Sequence, residues 1–123
     1  MIKIVQAAKF SGSLLALVFS LGLFSASTAI ADEASIAEGK KIAFDRKKGN
    51  CLACHMVADG ALPGNIGPPL IAMKARFPDR EVLRAQIWDA TVKNPNTIMP
   101  PFGKHGVLTE DEVDKVTDFI HTL

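Results

Sequence analysis

The stretch GNCLACHM, Gly49 to Met56, holds both cysteines of the chain and one of its three histidines. Two thiols one helical turn apart can each add to one of the two vinyl groups of a porphyrin, and the adjacent histidine then lies beneath the iron. C-x-x-C-H is the attachment pattern of c-type haem, which makes Cys51, Cys54 and His55 candidate cofactor residues and His55 a candidate iron ligand. Three other chemistries use the same residue types. A redox-active dithiol is expected beside a βαβ pattern, and no strand is legible here. Zinc needs about four ligands; His105 or His121 could complete a set, but a histidine adjacent to the second cysteine is awkwardly placed to share the ion. A disulfide across two intervening residues closes a loop too short to stabilise much. The pattern favours one covalently attached haem c over all three.

An iron held by one histidine leaves a second axial position to fill. Met56 stands beside His55 and cannot reach the opposite face. Met73 falls in a short expected helix, where an apolar packing role is the simpler reading. His121 is three positions from the last helix's end and reads as exposed or packed. Met99 stands in a loop stiffened by Pro100 and Pro101, well downstream of His55, and prolines reduce the freedom of a loop that presents a side chain. Met99 is therefore the expected distal ligand, with His105 as its competitor. Thioether sulfur favours ferrous iron, so a His/Met pair raises the reduction potential relative to His/His. Six-coordinate iron also has no open position, which points to electron transfer rather than chemistry at the metal.

These residues need elements to hold them. Ser35-Ile36-Ala37-Glu38 has the form of a capping box, so the spacing predicts a helix from Ile36 to about Arg46. Ile36, Ala43 and Phe44 would face inward, and Gly39 would let another element approach closely. After the motif comes a loop rich in Gly and Pro, Gly60 to Pro69, then a short helix over Leu70 to Ala75. Asp79 can cap a helix from Arg80 to about Val92, with Val82, Leu83, Ile87 and Ala90 inward. Asn94-Pro95-Asn96 ends it. A second capping box, Thr109 to Glu112, opens a last helix with Val113, Val116, Ile120 and Leu123 on one face. The reading is all-α, with three to four helices around the haem.

The first 31 residues stand apart. Lys3 and Lys9 form a positive start, Leu14 to Phe24 an apolar run, and Ala29-Ile30-Ala31 a small-residue cleavage site. The uninterrupted apolar run is about half of the roughly 20 residues a spanning helix needs, so a removed signal peptide over 1–31 is preferred to an uncleaved anchor. The expectation is a periplasmic mature domain over 32–123, with no stable membrane insertion after cleavage. Removing 1–31 takes away two of the 14 basic residues and none of the 13 acidic ones, for a formal net charge of about −1. That balance excludes an electrostatic footprint for nucleic acid. Local charge is uneven: Lys40, Lys41, Arg46, Lys47 and Lys48 precede the haem motif, while Glu110, Asp111, Glu112, Asp114 and Asp118 gather near the end. A basic surface beside an exposed haem edge would steer an acidic partner, unless the charges merely solvate helix faces. Trp88 could reach a haem propionate through its N–H, or serve as a core aromatic.

The order of these features, a helix with glycine and aromatic, C-x-x-C-H, a Gly/Pro loop, then a methionine loop before a terminal helix, resembles the class I cytochromes c. IGPPL, Ile66 to Leu70, is similar to that family's proximal loop. The resemblance implies a class I cytochrome c fold, a carbonyl at Pro68 accepting the proton on the histidine's other nitrogen, and haem contacts at Pro68 and Leu70. More specifically, GNCLACH, IGPPL, NPNTIMPPFGKHGVLTEDE and VTDFIHTL resemble the SoxX family, from about Glu38 to Leu123. That family supplies the small monohaem subunit of the SoxAX cytochrome of periplasmic sulfur oxidation. The resemblance implies a heterodimer with a larger SoxA-type cytochrome subunit and a downstream electron acceptor. It also implies electron acceptance when thiosulfate is joined oxidatively to a carrier-protein cysteine. Cys51 and Cys54 would both be committed to thioethers, so this chain alone is not expected to catalyse that conjugation. The alternative is a free-standing periplasmic cytochrome c that shuttles electrons to a terminal oxidase or other acceptor.

Overall fold

The structure, a computed structural model, describes residues 27–123, with side chains from residue 33 onward. The leader expected over 1–31 lies outside them, apart from the backbone of its last few residues. Four α-helices are present among the described residues: α1 (Ser27–Phe44), α2 (Met73–Arg76), α3 (Arg80–Trp88) and α4 (Glu110–His121). Short 3-10 turns form at Cys51–Ala53 and Ala90–Val92, and no strand occurs among the described residues. The fold is all-α, as expected, and has the form of a class I cytochrome c.

The pairing of the terminal helices frames the molecule. Gly39 of α1 lies against the backbone of α4: a Cβ built on it would stand 1.9 Å from the carbonyl oxygen of Lys115. Only glycine permits that approach. Beside the crossing, the rings of Phe44 and Phe119 meet edge-on, with centroids 5.7 Å apart. The Ser35 capping box does not form. α1 begins earlier, and the Ser35 hydroxyl instead donates to Asp118 Oδ2 at 2.7 Å. A tertiary partner has overridden the local signal.

α4 starts as its sequence predicts. The Thr109 side chain accepts from the Glu112 N–H, and the Glu112 carboxylate accepts from the Thr109 N–H. Val113, Val116 and Ile120 are buried, joined by Phe119 and Thr117, while Leu123 is half-buried. The Thr117 hydroxyl donates to the Val113 carbonyl, so its burial leaves no polar group unpaired.

α3 departs from expectation in two ways. Asp79 does cap it, accepting from the Glu81 N–H at 2.8 Å, but the helix stops at Trp88 rather than near Val92. Asp89 adopts φ −151°, ψ 90° and becomes the cap of the following 3-10 turn. Val82, expected inward, is 40% exposed, whereas Leu83, Ile87 and Ala90 are buried. Arginines fasten α3 to α4: Arg80 Nε donates to Asp118 and Arg84 Nε to Asp114, each at 2.6 Å. The short helix begins at Met73, two residues after Ile71, and Leu70 is held in the preceding loop by its N–H to the Met56 carbonyl at 2.9 Å.

Candidate functional site

The 3-10 turn at Cys51–Ala53 follows Asn50, which sits in the left-handed region at φ 47°, a conformation asparagine tolerates better than most residues. The His55 N–H then donates to the Cys51 carbonyl at 2.9 Å, closing one helical turn through the motif. Cys51, Cys54 and His55 all face a cavity of about 670 Å³, within the roughly 300–1,000 Å³ of small-molecule and cofactor sites. Burial pushes the Cys51 thiol up to about 11. That is the opposite of the lowered value a reactive dithiol needs. The two cysteines are not joined in a disulfide. Among the described residues, no group of three or more His, Cys, Asp and Glu side chains converges to hold a metal ion on its own.

The loop after the motif is built around the imidazole. His55 Nδ1 stands 2.7 Å from the Pro68 carbonyl oxygen. A carbonyl only accepts, so Nδ1 carries the proton and, in the neutral ring, Nε2 keeps its lone pair. Gly67 lies flat against the same ring: a Cβ there would be 2.5 Å from His55 Cε1. The Gly67 N–H donates to the Cys54 carbonyl at 2.8 Å, fastening the loop to the motif it covers. Arg76 spans the next residues, with Nη1 donating to the Pro69 carbonyl at 2.8 Å and lying 3.3 Å from Met73 Sδ.

Met99, Pro68 and Leu70 also line the cavity, so every residue expected to touch the cofactor is brought to one space. The Met99 N–H donates to Thr97 Oγ1 at 3.2 Å, shaping the turn that carries its side chain. The other candidates for the second axial position separate cleanly. Met73 reaches the cavity, with its sulfur beside Arg76; Met56, His105 and His121 do not line it. Met56 is 49% exposed, and His121 Nε2 is paired with the Phe77 carbonyl at 2.9 Å. Trp88 is likewise absent from the lining. Its ring packs on Gly103, where a Cβ would fall 2.0 Å from ring atom Cε3, so it serves as packing rather than as a cavity donor.

The charge clusters resolve into pairs. Lys40 meets Asp59, Lys48 meets Glu112, Lys115 meets Asp111, and Asp114 and Asp118 are taken by the arginines of α3. The acidic run near the end is therefore largely spent inside the chain. Arg46 and Lys47, at the cavity edge, make no ion pair among the described residues. Ile66, Ile98 and Val107 lie at the same edge and are 64%, 75% and 46% exposed. The site thus opens through a rim that is apolar and locally basic.

Asp89 escaped the sequence reading. It is 7% exposed and accepts from Lys104 Nζ at 2.7 Å and from the Thr91 N–H at 3.0 Å. The Lys104 ammonium, with Thr91 adding to it, holds the Asp89 carboxyl below the ordinary aspartate range. Its D-x-T spacing is a legible local cap; the pairing with Lys104 is not local.

Residues 34–120 match the family model described as cytochrome c oxidase, cbb3-type, subunit III. The chain is also similar to an uncharacterized lipoprotein of Aquifex aeolicus (strain VF5), at 34% identity over 76 residues, which is 61% of this chain and 37% of that protein. The chain therefore spans well under half the length of that relative. Among the described residues no helix is long and apolar enough to cross a membrane.

Proposed function

The chain belongs to the cytochrome c family that the cbb3-type subunit III model describes, and from that premise we propose that it is the monohaem electron-accepting subunit of a periplasmic SoxAX-type pair. Members of this family carry covalently bound haem c and transfer electrons. In this chain Cys51 and Cys54 would hold the haem through thioethers, and His55 and Met99 would supply the ligands to its iron. When bound, the haem supplies a one-electron iron couple. The Pro68 carbonyl fixes the His55 ring by its Nδ1–H, leaving Nε2 for the iron; partners of this kind orient a ligand and tune the metal. With Met99 as a second ligand the iron would keep no open position, so the chain would offer its partner an electron site and not a substrate site. Pro68 and Leu70 line the cavity and would contact the cofactor there.

The observation that carries the electron-transfer reading is the convergence of Cys51, Cys54, His55 and Met99 on one cavity, with the His55–Pro68 bond already made. What supports the finer assignment is the SoxX-like stretch from Asn94 to Glu112, together with the use of both cysteines in haem attachment. With no thiol left over, the sulfur–sulfur bond must form on the larger, SoxA-type subunit, and this chain takes up and passes on the electrons released. The export leader read from the sequence of residues 1–31 supports a periplasmic setting for this exchange.

The matched family's description as an oxidase subunit favours a second reading, a cytochrome c that delivers electrons to a terminal oxidase without a catalytic partner. Purification of the native holoprotein from the periplasm separates the two. A larger cytochrome subunit co-eluting in stable complex is the expected result; recovery of monomer alone defeats the SoxAX assignment in favour of the shuttle.

A further inference from the structure

Met99 lies on a loop whose two arms return to the same place. Upstream, the Thr97 N–H donates to the Asn94 carbonyl at 3.0 Å, and the Asn94 N–H to that of Ala90 at 3.2 Å. Downstream, the N–H groups of Gly103 and Lys104 both donate to the Trp88 carbonyl, each at 3.2 Å. Across the base, Lys104 Nζ meets Asp89 Oδ2 at 2.7 Å, joining residues 15 apart in sequence. A compact loop of this length with its ends held together is an Ω-loop, a form that often carries function.

The clasp and the ligand are mechanically linked. Between them stand Pro100 and Pro101, whose φ is locked near −65° by their rings, Phe102, which is 9% exposed and anchored in the core, and Gly103, which is held by its N–H bond to the Trp88 carbonyl and by the Trp88 ring packed on it. Few free torsions separate Lys104 from Met99, so a displacement at the base is transmitted to the thioether instead of being absorbed. Asp89 is buried and its charge needs a partner, while Lys104 is more than half exposed at its side chain. Neither residue lines the cavity.

We propose that the Asp89–Lys104 pair is a positioning device that keeps the Met99 loop closed over the cavity and thereby holds in place the side chain that would ligate the iron. This rests on the reading of Met99 as that ligand. Loss of the clasp leaves the helices and the His55 side intact, and lets the distal loop open so that an external ligand can enter.

The test uses holoprotein carrying Lys104→Met, which keeps the aliphatic stem, with Lys104→Arg as the conservative variant and Met99→Ala as the reference. In Lys104→Met, carbon monoxide is expected to bind the reduced protein on the order of tenfold faster than in wild type. Amide exchange at Met99, Gly103 and Lys104 should accelerate by a similar factor, while the α4 amides of Val116 and Phe119 stay unchanged. Lys104→Arg should restore both. Wild-type carbon monoxide binding and loop exchange in Lys104→Met overturn the proposal, as does equal acceleration in α4, which marks a general loss of stability. If Met99→Ala itself leaves the sulfur-to-iron band and carbon monoxide binding unchanged, the ligand assignment fails and takes the clasp's proposed role with it. If that variant behaves as expected and only Lys104→Met is silent, the clasp alone is refuted.

Discussion

His55 Nδ1 and the carbonyl oxygen of Pro68 meet at 2.7 Å across 13 positions of sequence. That contact ties the imidazole to the backbone of the loop that follows the motif and sets which ring nitrogen carries the proton. Gly67, one residue earlier, is what lets the loop lie close enough for the contact to form.

Gly67→Ala tests that closeness. Its Cβ would be 2.5 Å from His55 Cε1, so either the ring or the loop must move, at a cost of about 1–3 kcal/mol. A lower yield of holoprotein and a shifted reduction potential are expected on voltammetry. A variant with wild-type potential and haem content would show that the loop, not the imidazole, absorbs the change.

Met99→Ala is expected to abolish the sulfur-to-iron charge-transfer band of the oxidised protein and to lower the reduction potential, because a soft ligand that favours ferrous iron is gone. Carbon monoxide should then bind the reduced form readily. Met73 is the control, since its sulfur also reaches the cavity. Survival of the band in Met99→Ala with its loss in Met73→Leu would move the ligand to Met73.

Cys51→Ala removes one thioether. Poor haem retention and loss of a cooperative thermal transition are expected, because a domain this small has a thin core and the cavity of about 670 Å³ would be left unfilled. Absorption spectra and circular dichroism of the purified variant decide the matter. Full haem content with a sharp transition would mean that one thioether suffices.

Gly39→Ala places a Cβ 1.9 Å from the Lys115 carbonyl. Overpacking costs about 3 kcal/mol at its upper range, and the gain in helix propensity returns only about 1 kcal/mol. The net loss of roughly 2 kcal/mol should appear as a lower urea midpoint with unchanged slope, since the exposed surface on unfolding is the same.

Acid should weaken the α3–α4 contact. Arg84 first, and Arg80 after it, hold the Asp114 carboxyl below its ordinary range, and Lys48 does the same for Glu112. A depressed carboxylate adds stability that is fully present above the unfolded value, about 4, and is lost as pH falls through the folded one. The urea midpoint is expected to decline below about pH 4, less steeply in Asp114→Asn than in wild type. Parallel declines would remove Asp114 from the account.

Local signals carried much of this protein. C-x-x-C-H depends on spacing within one helical turn, the Thr109 box on contacts three residues apart, and the Asp79 cap on two; each is set by nearest neighbours along the chain, and each is found where its spacing predicts. Glycine at 39 was legible as a point of close approach, although not what would approach it. The failures share one cause. Ser35 is drawn away from capping by Asp118, 83 positions distant. α3 breaks at Asp89, whose carboxylate caps the next turn and meets Lys104. Trp88, by contrast, takes the core-packing role that its sequence left open, against Gly103. Half of the charges in the two runs, Lys40, Lys48, Glu112, Asp114 and Asp118, are taken up in pairs with residues distant in sequence. The sequence by itself determined the cofactor chemistry and the helical periods, because both rest on short-range covalent and hydrogen-bond geometry. Tertiary structure alone decided which charges stay unpaired, which methionines and histidines face the cavity, and what clasps the Met99 loop, because those depend on which distant surfaces the packing of α1, α3 and α4 brings together.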